Sequence, residues 1–321
     1  MAPAPHDKVL WLTHPDLINR IDDVILPILK DLKKNSLNII LRIEGDERFS
    51  VRFQYGVLFA VYQKVTLLAS KIDPKLTAEL DLRVYLEHLC DIKIVTNHFK
   101  ASILFFTYEN YNLKAVQKDN VKFFQVPKDF ERVFVPESPL LVSIPDEKLY
   151  NSVALGGTFD HLHSGHKLML SLAVLISRDR ILCGITATEM LTSKNYPEKL
   201  ESLENRTLTV QEFFKEFKEG SEGKIEIVTL RDPFGPTIEL DALDALVVSP
   251  ETLTGGLKSK KTLSKIPYCN LLFRFFFVVN EVRNEKNLSE LQIVQVDFII
   301  ADSNDPDVKL SSTFIRSLIN K

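Results

Sequence analysis

One stretch decides the fold of this chain: Val153-Ala154-Leu155-Gly156-Gly157-Thr158-Phe159-Asp160-His161-Leu162-His163-Ser164-Gly165-His166. It runs directly into the apolar segment 167–176. Paired glycines at the end of a buried strand let the backbone approach a ligand closely, and the N–H groups of a following helix point at the same place. The stretch therefore predicts a strand, an anion-binding loop and a helix. Its three histidines add hydrogen-bond donors that a phosphate can use.

Composition limits what the protein can do. The chain has 321 residues, enough for about two domains that each bury a core. Lys and Arg number 40 against 43 Asp and Glu, and the net charge of −3 provides no basic field for nucleic acid. The longest apolar candidate for a membrane span, 271–279, is too short and contains Arg274. We expect neither nucleic acid nor a membrane as a partner.

The cysteines and the N-terminal residues indicate the compartment. Cys90, Cys183 and Cys269 lie far apart in apolar surroundings and form no C-x-x-C spacing, so we expect reduced core residues. Residues 1–7 lack a charged segment followed by an apolar one, which argues against secretion. A cytoplasmic location is expected, with the nucleus left open.

The first part of the chain predicts a small α/β domain, residues 1–135, without a glycine-rich phosphate loop or other spacing that carries chemistry. Asp16 is the expected N-cap of its first helix. Strands are predicted at 8–12, 37–43, 49–53, 92–95 and 102–106, and further helices at 56–70 and 77–90.

Prolines at 136, 139 and 145 indicate a linker over 136–147, followed by a second domain over 148–321. Here strands and helices alternate, which predicts a parallel sheet with ligands at the carboxyl ends of its strands. The opening loop lies at such an end. Strands are expected at 152–155, 180–186, 225–230, 245–249 and 293–299, and helices at 203–217 and 312–319.

Two motifs carry a resemblance to a known family. The segment 156–166 resembles the T/HxGH signature of the nucleotidyltransferase superfamily, and 310–316 resembles its second signature, ISSTxxR. With 232–237, 248–256 and Asn280-x-x-Arg283, the second half resembles the eukaryotic type of phosphopantetheine adenylyltransferase. The resemblance implies a Rossmann-like parallel-sheet nucleotidyltransferase domain behind the smaller α/β domain. Because the chain stops five residues after Arg316 and lacks a G-x-x-x-x-G-K-[ST] loop, we expect the fungal-type, single-activity form.

The resemblance also implies roles for individual residues. The expected catalytic residues are His163, His166, Lys194 and Arg316. The expected ATP-binding residues are Gly157, Thr158, Phe159, His166, Ser249, Glu251, Ser311, Ser312, Thr313 and Arg316. Those expected to bind 4′-phosphopantetheine are Thr158, Lys194 and Arg283. Arg206 and Arg283 match the family less strongly, and Arg283 matches an arginine that contacts the pantetheine phosphate in the family. Magnesium is expected to arrive with ATP, and other enzymes of the coenzyme A pathway are possible partners of the first domain.

Several features have a simpler reading. His161, His163 and His166 are spaced so that they can ligate zinc, but no suitable fourth ligand follows. Residues 311–313 can be an ordinary helix cap with Arg316 on the surface. Lys199 competes with Lys194 for the phosphate contact. A carboxylate would repel phosphate, so Asp160 is expected to brace the loop.

Residues 257–279 depart from the family pattern, in which the Asn-x-x-Arg segment follows Gly255-Gly256 almost at once. They form either a basic flap over the phosphates or a translated intron, and the run of three phenylalanines favours the second reading. Two other functions stay open: a nucleotidyltransferase that uses a different phosphorylated acceptor, and a nucleotide-fold scaffold that has lost catalysis.

Overall fold

Two parallel sheets make up the framework of the computed structural model. It describes residues 8–32, 36–42, 50–90, 102–108, 121–126, 144–147, 150–217, 224–249 and 271–319. Each sheet has five strands, in the orders β3-β2-β1-β4-β5 and β10-β9-β6-β7-β8. An α/β fold with a parallel sheet in the second half is therefore confirmed.

The first sheet is built from strands Lys8–Leu12 (β1), Ser36–Leu41 (β2), Asp81–Leu86 (β3), Ser102–Tyr108 (β4) and Val121–Val126 (β5). Its helices are Ile21–Lys30 (α1), Val51–Ile72 (α2) and Pro74–Glu79 (α3), with a short 3-10 helix at Pro15–Arg20. Strands β1 and β2 are almost wholly buried, which agrees with their continuous apolar sequence.

The second sheet is built from strands Tyr150–Gly157 (β6), Ser177–Thr186 (β7), Lys224–Leu230 (β8), Ala245–Val248 (β9) and Gln292–Gln295 (β10). Its helices are Ser164–Ile176 (α4), Leu203–Phe214 (α5), Leu271–Glu285 (α6) and Ser312–Leu318 (α7). Helix α4 follows β6 directly and packs on one face of the sheet. It is buried on all sides from Lys167 onward, because helix α2 of the first domain covers it.

Some sequence predictions fail in the first domain. The predicted helix over 77–90 is wrong: helix α3 is capped by Asp73 and ends at Glu79, and β3 then pairs with β2. The predicted strand over 49–53 is wrong as well, because the Ser50 hydroxyl accepts a hydrogen bond from the Phe53 amide and starts helix α2. Asp16 caps no α-helix, since it lies inside the 3-10 helix. The predicted strand 92–95 falls outside the described residues.

Other predictions are confirmed or lie where the structure gives no description. Cys90 and Cys183 are buried free thiols. Residues 271–279 begin helix α6, whereas 257–270 fall outside the described residues, so the origin of the segment stays a prediction. The boundaries at 135 and 148 also stay predictions. Among the described helices, none is long and apolar enough to cross a membrane.

Candidate active site

The loop between β6 and α4 has an unusual backbone. Phe159 and His161 adopt φ angles of 50° and 47°, in the left-handed region that residues other than glycine rarely occupy. Such residues cost about 1–3 kcal/mol each and are found mostly at functional sites. The Phe159 side chain is fully buried and packs against Gly157, where a Cβ would lie 3.4 Å from the ring. Phe159 thus anchors the loop and has only its backbone to offer a nucleotide.

His163 and His166 form a stacked pair at the start of α4. Their ring centroids are 3.8 Å apart and the planes differ by 24°. Gly165 makes room for this arrangement, since a Cβ there would lie 3.2 Å from the His163 ring. Both Nδ1 atoms are buried without a hydrogen-bond partner among the described residues. Buried polar atoms are nearly always paired, so two orphans at one place indicate a site for a polar ligand.

The surroundings keep both imidazoles neutral. Burial, together with the positive charge of Lys167, lowers the pKa of His166 to about 3. Burial and the neighbouring His166 lower the pKa of His163 well below its ordinary value. A neutral imidazole carries one N–H, so each ring can donate one hydrogen bond at pH 7. The pair is therefore suited to donating N–H groups to a phosphate.

His161 lies apart from this pair. Its Nε2 atom is 2.8 Å from the Lys199 carbonyl oxygen, and its backbone N–H donates to the Glu201 carboxylate at 2.6 Å. In the described part of the chain, no three His, Cys, Asp or Glu side chains are arranged to hold a metal ion. The geometry thus separates His161 from His163 and His166 and gives no support to the zinc reading.

The structure brings the two signature motifs together at Asp160. Its carboxylate forms a buried ion pair with Arg316, and its backbone carbonyl accepts a hydrogen bond from the Ser312 hydroxyl at 2.8 Å. Asp160 also accepts from the Glu201 amide at 2.8 Å. The expectation that Asp160 braces the loop is confirmed.

Arg316 is 1% exposed, and all three of its nitrogens are engaged. Besides Asp160, they bond to the Asn195 carbonyl at 3.1 Å and the Thr313 hydroxyl at 3.2 Å. The Ser311 hydroxyl caps its own helix by accepting from the Phe314 amide. The second motif is therefore neither a plain cap nor a surface arginine. Ser312 and Arg316 hold the loop between β6 and α4 through Asp160, and a contact between Arg316 and ATP stays a prediction.

Two further buried arginines tie loops together through backbone carbonyls. Arg206 donates to the carbonyls of Thr158 and Thr186 at 2.7 and 2.8 Å, and so joins the ends of β6 and β7. Arg283 donates to the carbonyls of Thr237 and Leu240 at 2.5 and 2.9 Å. Arg283 thus fixes the segment 237–240 against helix α6, a positioning role that the sequence missed, and its contact with the acceptor phosphate stays a prediction.

The remaining candidate site residues differ in whether their side chains are already engaged by other residues. The Lys194 side chain is exposed, forms no hydrogen bond or ion pair with the described residues, and is near enough to influence the pKa of His166. Lys199 is occupied: its ammonium donates to the Arg316 and Ile319 carbonyls at 2.9 and 2.7 Å. Ser249 is half-buried directly after β9, whereas Glu251 lies outside the described residues. Lys194 is thus the freer of the two lysines.

A cavity of about 110 Å³ opens on the sheet face opposite α4. Its walls come from the ends of four strands and from the segment Asp232–Thr237, and they are mostly apolar. Gly156 and Gly157, the last residues of β6, line it as well, and Gly157 packs against Phe159, whose ring centroid is 5.3 Å from that of His166. An anion site and an apolar pocket therefore share one wall.

Comparison with known proteins agrees with this geometry. A family model described as cytidylyltransferase-like matches residues 154–318. The chain is 28% identical over 316 residues to the phosphopantetheine adenylyltransferase of Saccharomyces cerevisiae, covering 97% of this chain and 92% of that protein. It is 36% identical over 164 residues to that of Methanosarcina acetivorans (51% and 87% covered) and 31% identical over 172 residues to that of Methanopyrus kandleri (54% and 92%).

The family match spans both signature motifs and the second sheet from the middle of β6 onward. The alignment to the yeast protein extends through the first domain too. The chain therefore belongs to the cytidylyltransferase-like family, as a member of the phosphopantetheine adenylyltransferases.

Proposed function

We propose that this chain transfers the adenylyl group of ATP to 4′-phosphopantetheine, giving 3′-dephospho-coenzyme A and pyrophosphate in coenzyme A biosynthesis. One observation carries the proposal. A pair of neutral histidines with unpartnered Nδ1 atoms lies at the start of α4, and the end of β6, which leads into α4 through a short loop, lines an apolar cavity. Such a site can hold a phosphate and an apolar acceptor side by side.

The reaction needs no general base. The acceptor phosphate is already anionic near neutral pH, and one of its oxygens attacks the α-phosphorus of ATP. The new P–O bond forms as the bond between the α-phosphorus and the bridging oxygen breaks, and pyrophosphate leaves with the electron pair. Negative charge then grows on the α-phosphoryl oxygens and the leaving group, so fixed donors in a water-poor site stabilise the transition state.

His163 and His166 are the donors that we assign to the triphosphate. They lie at the first turn of α4, whose free N–H groups also favour an anion. Lys194 is assigned to the transferring phosphates, because its ammonium is exposed on a loop near His166. Thr158 follows directly after Gly157, so we place its hydroxyl and N–H between the two substrates.

The apolar cavity is assigned to the pantetheine arm. This arm is mostly uncharged, and burial of its methylene and methyl groups against apolar walls contributes to binding. The nucleotide would then lie on the α4 side, with the backbones of Phe159, Ser312 and Thr313 and the end of β9 at Ser249 near it. A contact from Glu251 is proposed on the family resemblance alone.

Magnesium is assigned to the nucleotide as MgATP. The described residues present no set of three carboxylate, imidazole or thiolate groups that would hold a metal, which fits an ion carried in by the substrate. The ion would offset the charge of the triphosphate in the transition state.

For the compartment, we propose the cytoplasm. Cys90 and Cys183 are buried as free thiols, and burial raises the pKa of the Cys183 thiol well above its ordinary value. Protonated buried thiols persist most readily in a reducing compartment. An association of the first domain with other coenzyme A pathway enzymes is proposed from the family resemblance, and affinity capture from a native extract with the full chain as bait would test it.

Pyrophosphate release with a panel of acceptors tests the proposed reaction. The purified chain receives MgATP and 4′-phosphopantetheine, pantetheine without phosphate, other phosphorylated acceptors, or no acceptor, and MgCTP replaces MgATP in a parallel series. We expect release only with ATP and 4′-phosphopantetheine together. Faster release with another acceptor or with CTP would reassign the reaction, and no release with any pair would favour a scaffold.

The variant His166→Ala gives the matching residue test. Loss of one preorganised donor lowers kcat by about 100-fold or more. His88→Ala is the control, because His88 is an exposed histidine of the first domain whose ring contacts Gln54. Far-UV circular dichroism checks that both variants fold. Unchanged turnover in folded His166→Ala would remove His166 from the site.

A further inference from the structure

The first domain contacts both helices that carry the signature motifs. Helix α2 and strand β3 pack against α4, and helix α3 packs against α7. Helix α2 also holds the segment that leads into the second motif, since the Gln63 side-chain amide exchanges two hydrogen bonds with the Ile300 backbone at 2.9 and 3.2 Å. The relative placement of α4 and α7 therefore depends on the first domain as well as on their own sheet.

Lys167 forms the most direct of these links. It follows His166 in the first turn of α4 and is 1% exposed. Its ammonium forms an ion pair with the Asp81 carboxylate and donates a hydrogen bond of 2.9 Å to the Leu82 carbonyl. Both acceptors belong to β3 of the first domain. A charge buried so deeply needs a partner, so Lys167 fits the site only when β3 is in place.

Asp81 is itself held in position. Arg83 bonds to Asp81 and also to Glu216, just after helix α5. The four side chains make a row across the boundary between the domains, in which Arg83 joins Asp81 to Glu216 and burial raises the pKa of Glu216 to about 7. Although burial opposes its ionisation, Lys167 and Arg83 hold the pKa of Asp81 well below its usual range, and its carboxylate is charged at pH 7.

The lengths of the relatives from Methanosarcina acetivorans and Methanopyrus kandleri bear on the role of this contact. Their alignments of 164 and 172 residues cover 87% and 92% of those proteins, about the length of the family match here. Those relatives are thus too short to hold both domains. In this chain, by contrast, the residue after His166 is a cation buried against the first domain.

We propose that Asp81 is a positioning residue of the adenylyl transfer, which fixes the histidine end of α4 through Lys167, so that the first domain is part of the catalytic machinery. This inference rests on the proposed function. Donors to a transition state must be held to a fraction of an ångström, and a displacement of about 1 Å can cost about 100-fold in rate. Asp81 pairs with Lys167 and Arg83, and its link to α4 is the Lys167 ammonium.

The test compares full-length Asp81→Asn with Asp31→Asn. Asp31 is the matched control, because its carboxylate also forms an ion pair with a lysine, Lys8, but this pair lies on the surface of the first domain. We expect Asp81→Asn to lower kcat by about 10- to 100-fold while KM for both substrates changes by less than threefold. Asp31→Asn keeps the wild-type kcat. Asp81→Asn combined with Lys167→Met loses no more than the worse single variant, because both act through one contact.

A merely structural role would give a different result. It would lower the melting temperature and leave kcat of the folded enzyme within twofold of wild type, and that outcome would overturn the proposal. If Asp81→Asn yields no folded protein, Asp81→Glu keeps the charge and lengthens the side chain by one methylene. A folded Asp81→Glu with wild-type kcat would overturn the proposal equally.

The NMR signals of the imidazole protons test the positioning role independently of the proposed function. The signals of His163 and His166 are assigned by single His→Gln substitutions. We expect the chemical shifts of both to change in Asp81→Asn and to be unchanged in Asp31→Asn. This readout needs no turnover. A wild-type chain without adenylyl transfer would defeat the proposed function, whereas unmoved signals would defeat the positioning role.

Discussion

The stacked pair of His163 and His166 depends on remaining uncharged. Two imidazolium rings with centroids 3.8 Å apart would repel each other, and burial disfavours the charge of each. We predict that neither ring titrates between pH 5 and 8. Their C2–H proton signals, followed by NMR, should stay flat where free histidine changes near its ordinary pKa of about 6.5. A titration step for either ring in that range would contradict the prediction.

The lowered pKa values of His163 and His166 also predict how the free energy of unfolding changes with pH. The pKa of His166 is about 3 in the folded chain and about 6.5 in the unfolded chain. The unfolded state therefore binds more protons between these values, and the free energy of unfolding falls as the pH drops from about 6.5 towards 3. His163 contributes in the same direction. Denaturant unfolding at pH 7 and pH 5 measures the difference.

The ion pair between Asp160 and Arg316 is nearly inaccessible to solvent on both sides. Removing the cation leaves a buried carboxylate without its counter-charge, which typically costs about 3–5 kcal/mol. We predict this loss for Arg316→Met in urea unfolding. Arg231→Met is the control: Arg231 pairs with Glu189 on the surface, where a pair contributes about 1 kcal/mol or less.

Adding Asp160→Asn to Arg316→Met removes the orphaned charge, so part of the stability should return. A loss below 1 kcal/mol for Arg316→Met alone would contradict a bracing role. The sequence identified Arg316 by its motif but missed this role, because an arginine five residues after a helix cap looks the same whether it faces a ligand or a buried aspartate. Only the fold brings residues 160 and 316 together.

Among the elements, strands β7 and β8 meet the cavity at a tight contact. A Cβ at Gly184 would lie 2.6–2.7 Å from three side-chain atoms of Leu230. We predict that Gly184→Ala pushes Leu230 into the cavity and raises KM for the acceptor about tenfold, the effect of one misplaced methyl group in a pocket. Steady-state kinetics with varied 4′-phosphopantetheine measures it.

KM for ATP should stay near the wild-type value, because the cavity lies on the sheet face away from α4. In the double variant with Leu230→Ala the clash disappears, so KM for the acceptor should return towards wild type. If Gly184→Ala changes KM for ATP instead, the assignment of the two sheet faces is reversed.

The elements also show how far sequence patterns reach. Strands such as 8–12 and 245–248 were predictable because continuous apolar runs suit a sheet covered on both faces. The segment 77–90 misled the prediction, since its apolar residues satisfy a helical spacing as well as an alternating one. Pairing of β3 with β2 decides between them, and that pairing is a tertiary contact.

At the scale of the whole molecule, one hydrophobic cluster runs through both domains. Polar contacts reinforce it, among them the buried hydrogen bond between the Tyr55 hydroxyl and Asp297 at 2.8 Å. We predict that the two domains unfold together. Trp11, the single tryptophan, reports on the first domain by fluorescence, and loss of pyrophosphate release reports on the second. Their urea midpoints should coincide.

Tyr55→Phe is the informative variant for this experiment. It removes the hydroxyl that joins helix α2 to Asp297, so it should lower both midpoints by the same amount. Two separate midpoints in the wild-type chain would show that the domains unfold independently, contrary to the shared core.

The two sheets have one further consequence. If the strands of each sheet are numbered one to five along the chain, both sheets have the spatial order 3-2-1-4-5, with β1 and β6 as their first strands. All pairings between the named strands are parallel. The chain thus carries the same strand order twice. The place equivalent to the Gly157 loop is the turn after β1, where Pro15 begins the next helix and lacks an N–H. The helix that follows β1 therefore offers one amide fewer to an anion than the helix that follows β6, so the same strand order supports a different use at this turn.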